Sequence, residues 1–148
     1  MLAGLPLHPL LVHSAVVLVP LVAIGALVMS YLPSFSRRHG KLILIIALVA
    51  QASVFLAKLS GQAFSEILNK EVEKHAELGE IAPFVTIPMV ALIYLRWRMD
   101  RAGSSTGSVA IRRLTSVALV IASLASLVMI FLVGHSGASS VWGWIDKL

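Results

Sequence analysis

The chain is predicted to fold as an all-α, four-helix transmembrane bundle with both termini extracytoplasmic, and three observations carry that prediction. Hydrophobic residues make up 58% of the 148 positions and charged residues only 13%, outside the range of a soluble globular domain. The charges are segregated, so that long uncharged stretches alternate with short charged ones and the apolar content is organised as spans. The connections also alternate in sign. The first carries Arg37, Arg38 and Lys41 and the third carries Arg96, Arg98, Arg101, Arg112 and Arg113. The second sets Glu66, Glu71, Glu73, Glu77 and Glu80 against Lys70 and Lys74. The positive-inside rule places the first and third connections in the cytoplasm. A single four-span domain then covers residues 1–148, multi-pass in the cell's inner (cytoplasmic) membrane.

Each span follows from its own residues. The first runs from Leu10 to Leu32, long enough for a hydrocarbon core of about 30 Å. Pro9 suits the first turn of a helix, which leaves His8 at the cap, while Pro20 should kink the interior. With no basic opening and prolines in its apolar run, this segment reads as a membrane helix and not as a cleavable signal. The second span, Leu42 to Gly61, is interrupted by Gln51 and by Lys58, which can snorkel at the end. The third has its apolar section at Ile81 to Leu95, at the end of a longer helix that begins near Glu66, because Gly79 is the one strong breaker in between. The fourth covers Leu114 to Val133. Tyr31, Phe35, Tyr94 and Trp97 form an inner aromatic belt, and Trp142 and Trp144 an outer one. Ala102–Ser108 reads as a flexible cytoplasmic loop. Ala47, Ala50, Ala57 and Gly61 on the second span, with Ala118, Ala122 and Ser126 on the fourth, allow close helix approach in lipid.

Composition narrows the function. A formal charge of +5 would raise nucleic-acid binding, but the basic residues named above lie beside spans, where topology accounts for them. The expected partners are therefore the lipid bilayer and a membrane redox partner or larger complex, with no nucleic acid. The chain has no cysteine, which excludes disulfides, thiolate metal sites, covalent haem attachment through Cys-x-x-Cys-His and thiol catalysis. Gly134-His135-Ser136-Gly137 sets a serine beside a histidine, but without a strand–turn–helix elbow or an orienting carboxylate. Its small residues are expected to end the helix and admit a close neighbour. No catalytic residue is assigned.

The histidines are the remaining chemistry. His39 sits among Arg37, Arg38 and Lys41 and reads as a solvated loop residue. Measured outward from Trp97 and Arg113 at about 1.5 Å per residue, His75 and His135 both lie about 33 Å away, and His13 lies about 29 Å from Leu32. His13, His75 and His135 can thus share one level near the outer surface, where an imidazole is costly unless it is paired, hydrated or ligated. Two of these three as axial ligands would bind haem b for electron transfer. Alternatively His8, His13, His75, His135 and Glu80 supply the donors for zinc or copper. His8 and His13 point about 140° apart on one helix, so any such site must be assembled between helices. A third alternative is a non-catalytic membrane scaffold or accessory subunit whose histidines are interfacial.

Two segments carry a family resemblance: Leu7-His8-Pro9-Leu10-Leu11-Val12-His13, and Gly134-His135-Ser136-Gly137-Ala138 followed by Val141-Trp142-Gly143. Together with Lys74-His75-Ala76 they resemble the bacterial membrane family called domain of unknown function 2231, over nearly the whole chain. That family's opening usually continues with Phe-Pro, where this chain has Ser14-Ala15, and its usual Gly-Gly is here Gly137-Ala138. The resemblance implies a four-span membrane protein without an established activity. Some relatives are joined to redox modules, and by analogy this points toward electron transfer.

Overall fold

The computed structural model describes residues 7–68, 73–103 and 109–142, with side chains described over 8–61, 74–103 and 109–139. Four α-helices make up the secondary structure of these residues: α1 (Leu7–Tyr31), α2 (Pro33–Leu68), α3 (Glu73–Ala102) and α4 (Val109–Trp142). Each contains a stretch long and apolar enough to cross a membrane, over His8–Tyr31, Pro33–Gly61, Lys74–Ala102 and Val109–Ser139. Helices are the natural solution in lipid because every backbone polar group is then satisfied within its own segment. The side chain of Trp142, residue Trp144 and the Gly/Ser stretch beyond Gly103 lie outside what is described, as do the side chains of Gln62, Glu66, Lys70, Glu71 and Glu73.

α1 and α3 each pack against both α2 and α4, and touch one another more lightly as a diagonal pair. The result is an up-and-down bundle with two distinct ends. His8, early in α1, meets Ala57 and Ser60, late in α2, while His75, early in α3, meets Ser136, late in α4. The opposite end joins Gly40 to Trp97 and Asp100 to Arg112. Between the ends the core is built from small and flexible residues, among them Val22, Ala23, Ala26, Met29, Met89, Ile93 and Leu119. Large apolar side chains such as Val17, Ile24, Leu48, Phe84, Ile121 and Phe131 point outward, as expected where the surrounding solvent is hydrocarbon.

Three boundaries differ from the sequence reading. The helix of the third span was expected to begin near Glu66, but Glu66 lies in α2, which runs on past Gly61 to Leu68, and α3 starts at Glu73. The charged stretch Ser36–Lys41 was expected to be a loop, yet α2 begins at Pro33 and only Leu32 separates it from α1. Pro33 has no N–H to lose in a first turn, and backbone bonds Leu32 N→Val28 O (2.9 Å) and Ser36 N→Leu32 O (3.1 Å) carry the chain across the break. His39 is consequently a half-buried helical residue, stacked on Phe35 with ring centroids 4.9 Å apart, and not a solvated loop residue. At the other end, Gly134–Gly137 does not terminate α4, which continues to Trp142. α3 does stop at a glycine: Gly103 has φ +80, a conformation that a β-carbon disfavours.

Candidate functional site

The five histidines separate into distinct environments. His8 and His75 face each other across the bundle with ring centroids 6.4 Å apart and planes inclined at 78°. His13 is exposed, and its Nδ1 bonds only back along its own helix to the Pro9 carbonyl at 2.6 Å. His135 is also exposed and lies flat on Phe131, with centroids 5.9 Å apart. Of the residues singled out for the haem or metal site, the structure therefore brings together His8 and His75 and leaves His13 and His135 on the outer surface. Glu80 is exposed too, and among the described residues no three of His, Cys, Asp or Glu gather as a metal-binding group. The reason is azimuthal. His8 and His13 lie five residues apart on one helix, so only one of them can turn inward.

Both inner rings are anchored through Nδ1. His8 Nδ1 lies 3.1 Å from the Ala57 carbonyl, which can only accept, so Nδ1 is the donor. The same nitrogen is 3.1 Å from Ser60 Oγ, whose own proton goes to Ala57 O at 3.1 Å. His75 Nδ1 is 3.0 Å from Ser136 Oγ, and that hydroxyl lies 2.9 Å from Val133 O; with the serine proton on Val133 O, Nδ1 donates to the serine as it does in His8. A neutral ring that donates through Nδ1 keeps its lone pair on Nε2. Anchoring one nitrogen so that the other is basic is how ligating histidines are oriented in metal and haem sites.

Glycines seat the rings. A β-carbon on Gly61 would come within 3.0 Å of His8 Cε1, and one on Gly137 within 3.1 Å of His75 Cε1. Both imidazoles thus lie against bare helix backbone. Sequence reading marked Gly61 and Gly137 only as points of close approach and put His13, His75 and His135 at one level; it missed Ser60 and weighed Ser136 as a nucleophile without an elbow and as a small residue. The available signal was the dipeptide Ser-Gly recurring at 60–61 and 136–137. Lys58 is near this end, but its ammonium sits over the Phe84 ring at 5.2 Å.

A second polar cluster, at the other end, was also missed. Asp100 is buried to 1% exposure and pairs with two arginines: Arg96 Nε at 2.8 Å and Arg112 Nη2 at 2.6 Å. Arg96 further donates to Ser116 Oγ at 2.7 Å, and Arg112 to the Met99 carbonyl at 3.2 Å. These arginines had been assigned to topology alone. The Arg-x-x-x-Asp spacing, which stacks two side chains on one helix face, was the readable sign.

Four apolar helices around a small-residue core define an integral membrane protein that crosses the bilayer several times. The chain belongs to the family of predicted membrane proteins called domain of unknown function 2231, whose profile matches residues 4–144. No curated protein and no solved structure matches the chain.

Proposed function

We propose that this protein binds haem b between His8 and His75 and passes electrons within the membrane. The observation behind the reading is the inward pair of imidazoles, 6.4 Å apart, each anchored through Nδ1. A metal held in line between two imidazole nitrogens at about 2 Å each separates the ring centres by roughly 6 Å. Two nitrogen donors complete the axial set of a haem, whereas a tetrahedral zinc site calls for three or four protein ligands. A haem with both axial positions filled has no open site for oxygen or substrate and suits electron transfer. Four-helix bundles house such cofactors between facing side chains. By the positive-inside rule the histidine end faces outward from the inner membrane, with both termini on that side.

The test is optical. Protein purified from haem-replete cells should show a Soret band and a reducible low-spin spectrum, lost in His8→Ala and in His75→Ala but retained in His13→Ala and His135→Ala. A spectrum without a Soret band would overturn the reading. Stoichiometric copper or zinc without porphyrin, found by elemental analysis, would replace it with metal handling by the same pair.

A further inference from the structure

The two inward histidines are held by the same device. In the α1–α2 hairpin, His8 donates to the serine of Ser60-Gly61, that serine donates to the carbonyl three residues before it, and the ring covers the glycine. In the α3–α4 hairpin, His75, Ser136, Val133 and Gly137 repeat every one of these contacts. The distances match as well: 3.1 and 3.0 Å from imidazole to hydroxyl, 3.1 and 2.9 Å from hydroxyl to carbonyl, and 3.0 and 3.1 Å from ring to the glycine's β position. The packing shares the pattern, since α1 and α3 each lie between α2 and α4. A parallel repeat of this kind is related by an axis along the membrane normal. The two rings then meet about that axis.

We infer that the bundle is two copies of one helical hairpin, and that Ser60 and Ser136 are the positioning residues of the paired-histidine site, each fixing its partner imidazole with Nδ1 protonated. This deepens the haem reading by naming the groups that orient its ligands, but the proton positions stand without any cofactor. The two halves differ in one respect. His8 also has the Ala57 carbonyl as an acceptor for Nδ1, whereas the serine hydroxyl is the partner found for His75 Nδ1.

The experiment is nitrogen-15 NMR of histidine-labelled full-length protein in lipid nanodiscs, prepared from haem-depleted cells, with signals assigned through the His8→Ala and His75→Ala variants. Wild type should show both rings protonated at Nδ1. Ser136→Ala should shift the tautomer ratio of His75 by about fivefold or more toward Nε2–H, the change expected on losing one ordinary hydrogen bond. Ser60→Ala should shift His8 less, because the carbonyl remains, and Ser136→Thr should restore His75. Nε2–H rings in the wild type, or a His75 signal indifferent to Ser136→Ala, would overturn the inference. The absorption spectrum of haem-replete protein is read separately. Correct tautomers without a Soret band sink the haem reading alone, and a Soret band with the wrong tautomers sinks the positioning role alone.

Discussion

Replacing Asp100 with asparagine tests how the arginine end is held together. The carboxylate is the one negative charge shared by Arg96 and Arg112, and its side chain is fully buried, with Arg96 at 5% exposure and Arg112 at 22%. Asparagine has nearly the same shape, so packing is preserved while both ion pairs are lost. Breaking a buried pair by removing one partner typically costs about 3–5 kcal/mol, because the surviving charge is left in a poor solvent. Arg112 has partial access to water and can recover some of its hydration, so Arg96 carries most of the penalty and the lower figure, about 3 kcal/mol, is expected. Reversible unfolding in mixed detergent micelles, followed by circular dichroism, would measure it. The double variant Arg96→Met with Asp100→Leu replaces charge by apolar volume and should cost clearly less than Asp100→Asn alone, since apolar substitutes for buried pairs are often neutral. A loss below about 0.5 kcal/mol for Asp100→Asn, the range of an ordinary surface change, would refute the reasoning.

Three further outcomes are expected. Gly40→Ala would set a β-carbon 2.5 Å from Trp97 Cδ1, so overpacking of about 1–3 kcal/mol should outweigh the gain in helix propensity of about 1 kcal/mol, and the same unfolding assay would show the variant to be less stable. Gly61→Ala and Gly137→Ala must push the His8 and His75 rings by a few tenths of an ångström. Their effect should fall on the haem spectrum and histidine NMR shifts more than on stability, and unchanged spectra in both would contradict the seating of the rings. Gln51→Leu removes the bond from Nε2 to the Pro83 carbonyl (3.0 Å) but also a buried Oε1 without a hydrogen-bond partner. Interhelical hydrogen bonds in membranes average about 0.6 kcal/mol, so the net change in unfolding free energy should stay within about 1 kcal/mol.

The spans were legible because hydrocarbon imposes a rule that residues must obey locally: about 20 apolar residues in sequence. Their ends were not, because a helix continues past the hydrocarbon without changing its hydrogen bonding. Ser36–Lys41 is charged and helical at once, and only Pro33 marks where α2 starts. Depth along each helix could be counted only to within a turn or so, which put His8, His13, His75 and His135 at one end of the bundle without telling which of them meets His75. Their azimuth could not be counted, because it depends on which neighbour each helix face meets. That is why His13 and His135 were ranked with His75 and above His8 until Ser60, Ser136 and the two glycines identified the inward rings. The Asp100 cluster was hidden for a related reason: loop arginines already had a sufficient explanation in topology, and burial is invisible in one dimension.

The bonds from Arg112 to Asp100 and to the Met99 carbonyl have a bearing on where the chain can be cut or lengthened. They bridge the two sides of the connection between α3 and α4, so side chains of the two helices tie their register directly. Nicking that connection, or inserting an epitope into it, should leave the pair seated. At Leu32 a single residue joins two helices, and any residue added there would have to be absorbed by α1 and α2 themselves.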